Sequence, residues 1–223
     1  ERSAQAHFGF FAGRSVDAYV GAPGCNAGYT LAWPTEIENA EFIVDRMNRG
    51  ARIGTVQLWR HAETLRRLWE EGHDPVGLEV AEAHRLGVDH WIRLSMNDWH
   101  HWGATEEDPE RPGLPAALNL YSSPFYEEHP EYLIGADGIA AYEGGKRPEA
   151  MQFFQDFSHE EVRVSRLEVL VEASERYDIA GFHYDFMRVP GYFKIGHEQE
   201  NASLMTELIR QSRSELDRIG ARR

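Results

Sequence analysis

Tyr177-Asp-Ile-Ala-Gly-Phe-His-Tyr-Asp185-Phe-Met-Arg188-Val-Pro190 is the stretch that decides how this chain folds. An apolar, aromatic run ends in an acid, an arginine and a proline, and a long amphipathic segment precedes it. A buried parallel strand takes this form when it delivers charged side chains to the carboxyl end of a sheet. In α/β proteins the chemistry sits at that end. Asp185 is therefore the first candidate for a catalytic or ligand-binding carboxylate. His183, two residues earlier, shares its face of the strand.

Working outward, residues 1–35 read as an irregular, Gly-rich N-terminal segment, with a short strand at Phe8 to Phe11. Thr35 as N-cap predicts a helix over 36–49, stopped by Gly50. Arg52 to Trp59 predicts a strand with Arg60 and His61 at its exit, followed by a short helix over 62–71. Asp74-Pro75 predicts a helix start, with Val76, Val80, Ala83 and Leu86 on the apolar face and Gly87 closing it. His90 to Met96 predicts a second strand that exits into Asn97-Asp98-Trp99-His100-His101. Residues 99–150 form a long loop excursion at the same edge, broken by a short helix near 124–129. Met151 to Phe157 predicts a third strand carrying Asp156. Ser158 is the expected cap of a helix over 159–177, and Ile179 to Asp185 is the fourth strand. A last helix, over 200–219, buries Leu204, Leu208, Ile209 and Leu216.

Strand and helix alternate, which predicts an α/β fold with a parallel sheet and right-handed crossovers in a single domain over 1–223. Four β/α units amount to half of a (β/α)8 TIM-type barrel. The expectation is a partial barrel, truncated at its C-terminal side, or else an open sheet.

Composition narrows the function classes. Net charge is −14, from 23 basic and 37 acidic residues. Nucleic acid and anionic membrane surfaces need clustered Lys and Arg, so neither is an expected partner. One cysteine, Cys25, excludes a disulfide scaffold and a Cys-rich zinc site. No apolar run reaches the ~20 residues that a membrane span needs. The first residues lack a signal-peptide pattern, which leaves the compartment open. Phosphate-loop, dinucleotide and Gly-x-Ser-x-Gly patterns are absent, and no cofactor is expected.

Each predicted strand exit is polar: Arg60 and His61; Asn97, Asp98 and His100; Asp156; Asp185 and Arg188. In a parallel sheet these exits share one edge, as an active site on this architecture requires. The plainer account is that polar groups appear wherever strands leave a core, and that Arg188 is an ion-pair partner for Asp185. His61, His100, His183 and Asp185 raise the alternative of a metal-dependent hydrolase, although no HxH or HExxH spacing is present.

Three stretches together resemble the glycosyl hydrolases of the (β/α)8-barrel type, the family-10-like glycosyl hydrolases. The first is Asp74 to Gly87 running into Arg93-Leu-Ser-Met-Asn97-Asp98-Trp99-His100. The second is Phe125-Tyr-Glu-Glu-His129-Pro130-Glu131-Tyr132-Leu133. The third is Asp156-Phe-Ser-His159-Glu-Glu-Val162-Arg163 leading to Arg176 through Pro190. Ala180 and Phe186 depart from the family pattern, in which an Asp is usual at the first position and some relatives carry a second acid at the other. The resemblance implies a barrel enzyme that acts on a glycosidic bond. Such enzymes use two carboxylates; Asp185 is the expected first, with Asp98 or Asp156 in this chain, or equally a Glu beyond Arg223, as the second. Arg93, Asn97, His100, His183, Arg188 and His61 are the expected substrate contacts, and Trp59 and Trp99 the expected sugar-stacking rings. A non-catalytic carbohydrate-binding domain on the same fold is the alternative.

Overall fold

The computed structural model describes residues 18–21, 29–51, 56–97, 120–143, 149–187 and 191–222, with the backbone alone at 18–21, 56–59 and 61. The chain is a mixed α/β protein with parallel sheets. Strands β1 (Ala18–Gly21), β4 (Asp89–Ser95) and β5 (Gly181–Asp185) form one sheet in the order β1-β4-β5. Both pairings are parallel. The three strands lie side by side in chain order. Winding without reversal is compatible with a β/α barrel and gives no topological switch point among these strands. A second, two-stranded parallel sheet joins β2 (Thr30–Leu31) to β3 (Glu41–Phe42).

The helices are α1 (Ile43–Asn48), α2 (Val56–Glu70), α3 (Pro75–Leu86), α4 (Pro124–Glu128), α5 (Gly135–Gly138), α6 (Glu160–Arg176) and α7 (Glu198–Gly220). Helix α3 has the ends its sequence predicts. The Asp74 carboxylate accepts the N–H groups of Val76 at 3.0 Å and Gly77 at 3.1 Å. Gly87 ends the helix at φ 67°, a left-handed conformation that glycine adopts without steric cost.

One face of the main sheet builds the core. Ile92 and Leu94 of β4 are fully buried with Val76 and Val80 of α3, Val162 and Val169 of α6, and Leu208 of α7. Phe182 and Tyr184 of β5 pack on the same cluster. Tyr184 also exchanges a 2.8 Å hydroxyl bond with Ser212, tying β5 to α7. The Tyr177 hydroxyl donates to Asp74 at 2.8 Å, tying the end of α6 to the start of α3.

Several expectations are corrected. The helix over 36–49 shrinks to α1: Asn39 sits at φ 64°, which a right-handed helix cannot accommodate, and Glu41–Phe42 pair as a strand. The predicted strand over 52–59 is helical from Val56, and 52–55 lie outside the described residues. Arg60 is consequently an exposed residue inside α2, and His61 follows it in the same helix; neither stands at a strand exit. The predicted strand over 151–157 is a 3-10 turn at Glu149–Phe153, followed by one antiparallel bridge between Leu133 and Gln155. Ser158 does not cap α6 with its side chain. Leu86 and Ile209, assigned to buried faces, are exposed. The predicted strand at Phe8 to Phe11 lies outside the described residues.

Candidate functional site

Alternation along β4 and β5 separates two faces. His90, Ile92 and Leu94 are buried against the helices, while Trp91, Arg93 and Ser95 point the other way. Register aligns Trp91 with Gly181, Arg93 with His183 and Ser95 with Asp185. This second face is half-buried to exposed along both strands. It is polar toward the carboxyl end and aromatic toward the amino end.

Asp185 closes β5. Arg93 reaches it diagonally, one register step on: its Nε donates to Asp185 Oδ2 at 2.8 Å, and Nη2 donates to the same oxygen. The other oxygen, Oδ1, accepts the Met187 N–H at 2.9 Å. The Asp185 carbonyl accepts the Met96 N–H at 3.1 Å, extending the β4–β5 ladder by one bond. Side-chain exposure is 32% for Arg93 and 12% for Asp185, so the pair sits at the water boundary and is not sealed in the core. The His183 side chain is exposed beside it, with no side-chain hydrogen bond among the described residues. Met187 projects into solvent at 84% exposure.

Tyr192 belongs to this edge and was not singled out from the sequence. Its hydroxyl donates to the Phe186 carbonyl at 2.7 Å. Burial first, and then the nearby negative charge of Asp185, push this phenol above its ordinary range. Its place just past Pro190, in the exit segment of β5, was the available signal.

Asn97 and Asp156, expected in the site, do structural work instead. The buried Asn97 amide donates to the Gln155 carbonyl at 3.0 Å and the Gly191 carbonyl at 2.5 Å, and its oxygen accepts the Gln155 N–H at 3.0 Å. These bonds join three segments of the chain. Asp156 is buried, and its Oδ1 accepts the Ser158 N–H at 2.9 Å, forming a turn that leads into α6. Both side chains are buried, Asn97 at 0% and Asp156 at 1% exposure.

Beneath these segments lies Arg166, fully buried, which the sequence reading passed over. Its guanidinium bonds to Gln155 Oε1, to the Tyr126 hydroxyl at 3.1 Å and to the Met96 carbonyl at 3.3 Å, and it lies 5.9 Å from the Phe157 ring centre. Its spacing gave the hint. Position 166 falls on the stripe 162, 166, 169, 170 and 173, otherwise apolar and buried.

Asp98, Trp99, His100 and Arg188 lie outside the described residues, as do the side chains of Trp59 and His61. Among the described residues no three His, Cys, Asp or Glu side chains stand together in a way that could hold a metal ion. Among the described helices none is long and apolar enough to cross a membrane. A cavity of about 630 Å³ lies at the opposite, amino end of β5, lined by Trp91, Gly181, Ile179, Arg213 and Leu216. It is some 13 Å along the strand from Asp185, and Arg93, His183 and Asp185 are not among the residues that line it. Neither the protein-family models nor the curated proteins compared with this chain give a match.

Proposed function

We propose that this chain is a glycoside hydrolase-like enzyme on a (β/α)-barrel-type scaffold, with Asp185 as the carboxylate that meets the anomeric carbon. One observation carries the proposal: an oriented acid at the carboxyl end of a parallel strand, on the face the helices leave uncovered, with one oxygen fixed by Arg93 and the other by a backbone N–H. A carboxylate so fixed is pre-organised to face positive charge developing in an oxocarbenium-like transition state. His183, exposed one register step away, is suited to a sugar hydroxyl. Arg93 acts as a positioning residue. With the Asp156 carboxylate engaged in its turn, Asp98, three residues past Ser95, is the better candidate within this sequence for the second carboxyl, beside a glutamate beyond Arg223.

The withdrawal of Asp156 also favours a second reading, a carbohydrate-binding domain without turnover. One comparison separates the two. Wild type and Asp185→Asn are assayed on a panel of aryl glycosides and for reducing-end release from polysaccharides, with glycan affinity measured in parallel. Wild-type turnover that Asp185→Asn abolishes while the fold survives supports the enzyme. Wild-type glycan affinity without turnover supports the binding domain. Unchanged turnover in Asp185→Asn removes Asp185 from the mechanism.

A further inference from the structure

Helix α6 is apolar on two sides. Val162, Val169, Leu170 and Ala173 face the core, whereas Val164, Leu167 and Val171 form a second stripe at i, i+3 and i+7 on the outer side. A helix that needed only one core contact would be polar there. Val164 is 41% exposed, and Leu167 and Val171 are half-buried. With Ile37 these three line a groove of about 420 Å³.

The rim of this groove is charged with one sign: Glu36, Glu168, Glu172, Glu175 and Glu215. Glu172 accepts from the Trp33 indole at 2.7 Å, the Thr35 hydroxyl at 2.9 Å and the Glu36 N–H at 2.9 Å. Glu168 accepts the Tyr29 hydroxyl at 2.6 Å. These donors are all neutral, so they orient the carboxylates without offsetting their formal charge. Among the described residues the one guanidinium bonded to the rim is Arg218, which reaches Glu215 at 2.6 Å and Glu175 at 3.3 Å. An apolar floor ringed by five carboxylates and one guanidinium is complementary to apolar anchors flanked by cations.

We infer that this groove docks a basic amphipathic helix from a partner protein. The floor from Val164 to Val171 runs about 10 Å along the helix axis, enough for anchors at i, i+3 or i+4, and i+7 of a helical ligand. Lysine or arginine residues beside those anchors reach the glutamate rim. The rim raises the association rate and sets orientation, and the apolar floor supplies the residence time. This surface is separate from the strand-end site, so its fate is independent of the glycosidase proposal.

The test titrates the whole chain into a labelled peptide of about 18 residues with leucine on one helical face and lysine on the other, read by fluorescence anisotropy. Controls are a scrambled peptide of equal composition and a leucine–glutamate peptide. The patterned leucine–lysine peptide is expected to bind, and both controls to bind at least about tenfold more weakly. Val164→Asp and Glu36→Lys, both at exposed positions, are expected to weaken binding at least about tenfold with unchanged circular dichroism. Glu71→Lys makes the same charge change away from the groove and is expected to shift affinity less than about twofold. Equal binding of the scrambled peptide, equal losses from Glu36→Lys and Glu71→Lys, or an unaffected Val164→Asp would each overturn the inference. Self-association of the chain that Val164→Asp abolishes would also overturn it, by making a second copy the occupant.

Discussion

Arg93 and Asp185 stand on adjacent parallel strands but are not register partners; Arg93 pairs with His183, and its guanidinium leans one step toward the carboxyl end to hold Asp185 Oδ2. The diagonal bond brings the acid and the exposed histidine under one arginine. Both ends of the pair are partly wetted, so its strength is intermediate between a surface and a core ion pair. A double-mutant cycle with Arg93→Gln and Asp185→Asn is expected to give a coupling energy of about 1–2 kcal/mol in urea denaturation. Additive single effects would show that the two side chains do not interact in solution.

Gly181 is required by its neighbour across the ladder. A Cβ at this position would lie 2.7, 2.9 and 3.0 Å from three atoms of the Trp91 ring, so the indole lies flat where only glycine leaves space. Gly181→Ala is expected to displace that ring and to cost about 1–3 kcal/mol of stability. Tryptophan emission should shift at the same time. Emission and stability both equal to wild type would show that the ring does not rest there.

Asn97→Ala separates a structural from a substrate-binding role. The substitution removes the bonds that the amide makes to the Gln155 N–H, the Gln155 carbonyl and the Gly191 carbonyl inside the protein. A loss of about 2–4 kcal/mol is expected for the removal of three buried hydrogen bonds. Chemical denaturation measures it. Full stability combined with reduced glycan affinity would instead return Asn97 to the binding site.

Alkaline pH should unfold the chain in one cooperative step. Burial is the leading cause that raises the phenols of Tyr29, Tyr126, Tyr132, Tyr177, Tyr184 and Tyr192, and Tyr184 is pushed up to about 12. Their folded values lie above the unfolded value near 10. The stability they contribute is therefore complete below pH ~10 and is lost as pH rises through the folded values. Tyrosinate absorbance should stay well below nine ionised rings until the helical signal collapses, and then rise with it. Gradual ionisation of all the rings near pH 10, before unfolding, would contradict the burial described.

Acid dependence runs with the opposite sign. Arg66 beside Glu63 holds that carboxyl down to about 2, and Arg85 lowers Glu82 in the same way. Such groups favour the fold above the unfolded carboxyl range and lose that contribution as pH falls toward 2. Glu63→Gln should flatten the melting temperature between about pH 4.5 and 2 relative to wild type. Identical slopes would show that Glu63 plays no part in acid unfolding.

Local chemistry made much of the fold legible. Asp74, Pro75 and Gly87 mark both ends of α3, and two apolar runs that end in polar residues mark β4 and β5. The failures came where local preference opposed longer-range contacts. Ile53, Thr55 and Val56 favour a strand, yet Ala62, Leu65 and Trp69 continue a helical period onto the core, and the helix starts at Val56. The aromatic run before Asp156 reads as a strand, but Asn97 pins Gln155 from 58 residues away and Asp156 turns the chain into α6. For the candidate site, Asp185 and Arg93 could be named from residue type and position. The pairing between them needed the β4–β5 register, which sequence spacing does not supply. Asn97 looked like a ligand contact because a polar residue at a strand exit has the same signature whether it faces a substrate or a backbone carbonyl.

The Asn97 amide has a consequence for how the protein is made. Its partner Gly191 lies 94 residues downstream. At ribosomal speeds of roughly 5–20 residues per second, the amide emerges about 5–20 s before that partner exists. Meanwhile β4 also lacks its neighbour β5, because residues 181–185 are still unmade. The edge that carries Arg93 is thus born unfinished and closes late, once β5 and Gly191 have been made. A nascent chain paused before Gly181 would present an open strand and an unsatisfied Asn97 amide, the state most exposed to chaperones and to aggregation.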